Sequence, residues 1–159
     1  MVAYMNIRRE RSSINNSLTA FIQRINKIKN NNNLVEVGIM KESKYPNGER
    51  LQVAEVAFRQ EYGTRNIPER SFIRSTFHQN DNFKDLSNRL AAGLMKGTIK
   101  TEQALGILGQ TSVQEIQKTI RELRTPPNTK ETIKRKGSSN PLIDTGLLIN
   151  SITYKVKDA

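Results

Sequence analysis

The chain has 159 residues, 35% of them hydrophobic and 26% charged, with a mean hydropathy of −0.63 and a formal charge of +11. That is enough for one domain with a core and too little for two, and no apolar run approaches the roughly 20 residues that a membrane-spanning helix needs. Cysteine is absent and His78 is the single histidine, which excludes disulfides, thiolate nucleophiles and Cys- or His-rich metal sites, so neither a metal nor a cofactor is expected.

A pI near 10.1 predicts contact with a polyanion or with an acidic protein surface, two outcomes that charge alone leaves open. The N-terminal "MVAYMNIRRERSS" has arginines but no apolar stretch of signal-peptide length, so the expected location is the cytoplasm.

Ser12 or Ser13 is placed to cap a helix whose Ile14, Leu18, Phe21, Ile22, Ile25 and Ile28 fall three and four apart, the spacing of one buried stripe. The Asn run that follows Lys29 stops it, and residues 1–33 are read as an N-terminal helical segment ahead of an α+β domain over 34–159. In "LVEVGIM", Val35, Val37 and Ile39 alternate with Glu36 and Gly38, the period of a strand with one face inward. "YPNGE", Tyr45 to Glu49, has turn chemistry. From Leu51, helical spacing returns through Val53, Ala54, Ala57, Phe58 and Tyr62, with Gly63 where a C-terminal glycine belongs.

Pro68 limits "TRNIPERSFIRSTF" to an extended lead-in or the start of a new helix anchored by Phe72, Ile73 and Phe77. "DNFKDLSNRLAAGLMKG" carries Phe83, Leu86, Leu90 and Leu94 on one stripe and closes at Gly97. Thr101 is then expected to cap a long helix with a stripe through Leu105, Leu108, Ser112, Ile116, Ile120 and Leu123. The two glycines of "GILG" within it suggest close packing against another backbone. Residues 125–141, "TPPNTKETIKRKGSSNP", read as a long basic loop, either an ordered arm or a disordered one. Asp144 or Thr145 is placed to cap a short turn through Leu147 and Leu148, Gly146 permits that turn, and "SITYKV" alternates as a strand. The expected fold is α+β: a small antiparallel sheet packed by several helices, one of them long, with a third strand sought in "VAYMNI" or near Tyr45.

None of the motifs that could carry chemistry is complete. Leu-Ile-Asp-Thr-Gly at 142–146 matches the catalytic triplet of an aspartic protease, but that chemistry needs two carboxylates sharing a proton and a barrel around them. Only one such triplet is present. "IKRKGSS" lacks the order of a phosphate-binding P-loop, and Glu55 and Glu61 lie six apart on a helix and so do not share a face closely. No catalytic residue is expected, and the chain is read as a non-enzyme.

Two stretches nevertheless carry a resemblance. "YPNGERLQVAEVAFRQEYGTRNIPERSFIR" supplies Glu61, Tyr62, Gly63 and Thr64, then Ile67, Pro68, Arg70, Phe72 and Arg74. "TIKRKGSSNPLIDTGLLINSITYKV" supplies Leu142, Ile143, Asp144, Thr145, Gly146, Leu148, Ser151 and Ile152. In order and spacing, over about Val35 to Val156, the chain resembles the neck or tail-completion proteins of tailed bacteriophages, also called head-tail joining or minor tail proteins. Many relatives have Pro before the Phe of the first motif, where this chain has Ser71.

The resemblance implies a structural virion protein that forms a ring, expected as a hexamer, at the top of the tail. Its partners would be further copies of itself, the head connector or adaptor, and the tail terminator or tail-tube proteins. Phage DNA passing through the lumen is a further contact, no membrane is involved, and assembly would take place in the host cytoplasm. Candidate contact residues are Arg65, Ile67, Pro68, Arg70, Phe72 and Arg74, with Lys130, Lys134, Arg135 and Lys136 of the basic loop. The alternative reading is a nucleic-acid-binding module that uses residues 130–139.

Overall fold

The computed structural model describes residues 2–39, 52–78 and 80–158, with the backbone alone for 2–15. The elements are α1 (Val2–Lys29), β1 (Asn33–Ile39), α2 (Val53–Tyr62), α3 (Arg74–His78), α4 (Asp81–Lys96), α5 (Thr101–Glu122), α6 (Lys130–Lys136), α7 (Leu147–Asn150) and β2 (Ile152–Asp158). The fold is α+β, with a two-stranded antiparallel sheet in which Val35 faces Val156, Val37 faces Tyr154 and Ile39 faces Ile152.

The alternation in β1 turns Val35, Val37 and Ile39 toward α5, the long helix on which the sheet lies. From α5, Val113, Ile116 and Ile120 project into a core completed by Val53, Ala57, Phe72, Leu142, Leu148 and Ile152. Residues from both ends of the main domain therefore meet on one helix. Among the glycines of "GILG", only Gly109 explains itself by packing: a Cβ there would lie 2.9 Å from Val35 Cγ2 and would run into the Tyr154 ring. The close approach is to side chains of the sheet rather than to backbone. Gly106, one turn earlier, faces nothing within 4 Å.

Several expectations change. α1 starts at Val2, so Ser12 and Ser13 lie inside it rather than at its cap, and "VAYMNI" is helix rather than strand. Its stripe is not buried: Leu18 is 55% and Ile22 48% exposed, with Phe21 and Ile25 also open to solvent. Periodicity marks a face as apolar without supplying an element to cover it, and α1 touches the rest of the chain chiefly through α4. Phe58 and Tyr62 are likewise exposed and stack on one another at 4.8 Å, while Glu61 between them is buried.

At α5, Lys100 is the cap residue and its N–H donates to Gln103 Oε1 at 3.0 Å, so Thr101 is the first helical residue. α4 matches its expected span and ends in Gly97 at φ 73°, with Asn80 Oδ1 accepting the Phe83 N–H at its start. The basic loop is not structureless but contains α6. The turn expected at 45–49 and the helix start at residue 51 fall outside the described residues, as does a strand near residue 45.

The two glycines of α5 separate packing from propensity. Gly106→Ala should raise stability by up to about 1 kcal/mol through helix propensity. Gly109→Ala, with the same propensity gain, should instead lower it, because overpacking against Tyr154 and Val35 costs about 1–3 kcal/mol. Chemical denaturation of both variants checks the pair, and a stabilised Gly109→Ala would contradict the packing.

Candidate interaction site

The site begins where α2 stops. Gly63 takes φ 72°, a conformation that L side chains avoid, and a Cβ there would sit 2.9 Å from the Glu69 nitrogen. The chain then folds back on itself: Thr64 N–H donates to the Ile67 carbonyl at 2.8 Å, and Arg70 N–H donates to the Gln60 carbonyl at 2.7 Å. This return brings Ser71 to Arg74 against the end of α2.

Glu61, 4% exposed, fills the angle between them. Its carboxylate accepts the N–H groups of Phe72 (2.7 Å), Ile73 (2.9 Å) and Arg74 (3.0 Å), the Ser71 hydroxyl (2.9 Å) and Arg74 Nε (3.1 Å). Three of these donors are consecutive backbone N–H groups that lead into α3, the last of them on its first residue, so a residue of the preceding helix caps the next one. Burial works to raise the Glu61 pKa, but the N–H groups of Ile73, Arg74 and Phe72 and the Ser71 hydroxyl together outweigh it and hold the carboxyl below its ordinary range. Ser71 thus contributes a hydroxyl donor that proline could not. Arg74 bridges Glu61 and Glu69 (2.7 Å) and lies over the Tyr62 ring at 4.5 Å.

Arg70 points the other way. It is 5% exposed and its guanidinium donates to the carbonyls of Pro126 (2.8 Å) and Pro127 (3.1 Å), to Gln60 Oε1 (2.8 Å) and to Asn128 Oδ1 (3.1 Å). A buried cation is satisfied here by neutral acceptors in a planar fork that lysine could not copy. It fixes the start of the 125–141 segment, which enters through a cis Thr125–Pro126 bond. Thr129 Oγ1 accepts the Thr132 N–H at 3.2 Å to begin α6, and Gly137 at φ 69° ends it. Asn140 then bonds in two directions: Oδ1 accepts the N–H groups of Leu142 and Ile143, and Nδ2 donates to the Ile120 and Arg121 carbonyls at the end of α5. Lys136 Nζ donates to the Asn140 and Pro141 carbonyls. The basic segment is held by its own chain.

The expected contact residues therefore divide. Phe72 is fully buried and Arg70 nearly so, and both act inside the chain. Arg65 and Pro68 are exposed and Ile67 half-buried on the turn between α2 and α3, whereas Lys130, Lys134 and Arg135 are exposed on α6. Burial lowers the Lys136 pKa, the Asp144 carboxylate opposes that, and Arg70 and Arg135 add to it. Asp144 does not cap α7: Gly146 occupies the cap position at φ 80° and no side chain caps the helix. Thr145 offers only a long bond, its Oγ1 accepting the Leu147 N–H at 3.4 Å.

Gln60, Asn128 and Asn140 escaped the sequence reading. Asn140 had a signal in its Asn-Pro turn, and the other two, as neutral amides outside any motif, had none. Among the described residues no group of acidic or histidine side chains is placed to hold a metal, and no helix is long and apolar enough to cross a membrane. No family model, curated protein or solved structure matches the chain.

The carboxylate knot predicts a specific acid sensitivity. Because the folded pKa of Glu61 lies below its unfolded value, the stability it contributes is complete above about pH 5 and is lost as pH falls through the folded value. Glu61→Gln should lower stability at pH 7 by about 2 kcal/mol or more and flatten the acid limb of the stability–pH curve. Denaturation of both proteins from pH 7 to pH 3 tests this; parallel curves would show that the charge is not what matters.

Proposed function

We propose that the chain is a structural subunit of a tailed-bacteriophage neck, assembling as a ring that completes the tail and joins it to the head connector. The observation that carries the reading is where the resemblance residues fall. Glu61, Arg70, Phe72 and Arg74 of the first motif and Leu142, Leu148 and Ile152 of the second lock two distant parts of the chain together. A motif used in this way specifies a scaffold rather than a reaction centre. Glu61 has its oxygens occupied by hydrogen bonds, and Asp144 is the sole carboxylate among the described residues lining its cavity, which supports a structural over a catalytic role.

Assembly needs surfaces that a monomer leaves unsatisfied. The apolar stripe of α1, through Leu18, Phe21, Ile22 and Ile25, is one such surface, and a contact with a different face of the next copy closes into a ring when the rotation per subunit is right. The double variant Leu18→Glu, Ile22→Glu should abolish the ring seen by light scattering or cryo-electron microscopy while leaving the melting temperature of the monomer nearly unchanged. A chain that stays monomeric even with its head and tail partners present would refute the reading.

A second reading, a nucleic-acid-binding role, is favoured by the three cations Lys130, Lys134 and Arg135, which α6 presents to solvent on one short helix. It expects DNA affinity that falls steeply with salt, and a triple Ala variant that reduces the slope of log K against log salt by up to about 0.9 per lost phosphate contact. Absence of DNA binding at low salt would end it.

A further inference from the structure

A cavity of about 230 Å³ lies between α6 and the turn that leads into α7, with the end of α2 as its third wall. Its hydrogen-bonding capacity is one-sided. Gln60 and Asn128 both line it, and both have committed their amide oxygens to Arg70. That commitment fixes the orientation of the two amides, and what each has left is an NH2 donor. Asn128 Nδ2 is closed off from the cavity and has no acceptor among the described residues, so of the two amides it is Gln60 that has an NH2 left for a ligand. Arg135 adds a guanidinium to the wall, and Thr132 a hydroxyl. Lys136 adds an ammonium with two of its three N–H groups already donated to the Asn140 and Pro141 carbonyls.

Donors and net positive charge together call for an oxyanion. Asp144 reverses the demand at one point, since it is the only acidic residue among the described residues lining the cavity. An anion facing a carboxylate is repelled unless it brings a proton to donate. Inorganic phosphate keeps such a proton across the neutral range and phosphomonoesters keep one below their second ionisation at about pH 6, whereas sulfate and phosphodiesters carry none.

We propose that the cavity between α6 and the 141–148 turn is a binding site for a protonated phosphate group, with Arg135, Lys136 and the Arg70-oriented Gln60 amide as donors and Asp144 as the acceptor that selects it. The site is complete within one chain and does not depend on the assembly proposed above. It also differs from an electrostatic DNA surface, because a phosphodiester fails the Asp144 criterion.

Isothermal titration calorimetry of the full chain at about pH 6, where both phosphates carry a proton, and at fixed ionic strength tests the proposal with four probes: inorganic phosphate, methyl phosphate, sulfate and dimethyl phosphate. Phosphate or methyl phosphate should bind saturably at one site, about tenfold or more tighter than sulfate and dimethyl phosphate, and the tighter of the first two identifies free phosphate or a monoester as the natural source. Arg135→Gln, at an exposed position, should weaken binding by about tenfold, and Asp144→Asn should bring sulfate to within about twofold of phosphate. Absence of saturation of either phosphate by about 10 mM overturns the proposal, as does unaltered affinity in Arg135→Gln or equal binding of sulfate and phosphate by the unsubstituted chain.

Discussion

Three consecutive backbone N–H groups, those of Phe72, Ile73 and Arg74, would be left without partners at the start of α3 if Glu61 did not reach them from the end of α2. No substitution short of proline removes a backbone donor, so a chain that turns at this point must satisfy them or lose stability. A carboxylate is suited to the task because it accepts on both oxygens and its charge strengthens each bond. With the turn fixed, Phe72 is driven into the core against α5 and Arg70 is left facing the opposite way, toward residues 126–128. The position of the whole basic segment therefore descends from one acidic residue.

Charge is used asymmetrically around this knot. Glu61 is buried among donors and balanced in part by Arg74, which remains half exposed and stacks on Tyr62. Arg70 has no carboxylate among its hydrogen-bond partners and is stabilised by carbonyl and amide oxygens instead. Removing water from a cation in this way is costly unless other acceptors replace it, and the Pro126 and Pro127 carbonyls and the Gln60 and Asn128 amide oxygens do so. The same contacts hold the start of the 125–141 segment, and the cavity lies between its α6 and the 141–148 turn.

What could be read from the sequence was whatever had a period. β1 and β2 announced themselves by alternation, α4 and α5 by stripes three and four apart, and α4 by its terminal glycine. The stripe on α1 was legible too, but a period says only that a face is apolar, and among the described residues no element covers Leu18, Phe21, Ile22 and Ile25. α6 was hidden because "KETIKRK" has no stripe at all; its signals were the flanking Thr129 and Gly137, one capping each end. Glu61 and Arg70 stood out in the motif without disclosing their burial, since charged side chains carry no hydrophobic signature and their partners lie beyond their own element, for Arg70 as far as 58 residues along the chain. The Asp-Thr-Gly triplet showed the opposite hazard. It matched a catalytic signature letter for letter, yet Asp144 is exposed beside Lys136, and Gly146 begins α7.

The pairing of β1 with β2 has a consequence in time as well as in space. Among the described residues β1 pairs only with β2, which follows α7, so this pairing is among the last parts of the fold able to close. Pairings of such long sequence separation are slow to form, and an unpaired apolar strand is an invitation to association in the interval. The chain carries its own restraint: Glu36 interrupts the inward-facing valines of β1 and in the finished sheet meets Lys157 in an ion pair at 2.5 Å. A charge that contributes little to the completed structure can thus protect the nascent chain on its way there.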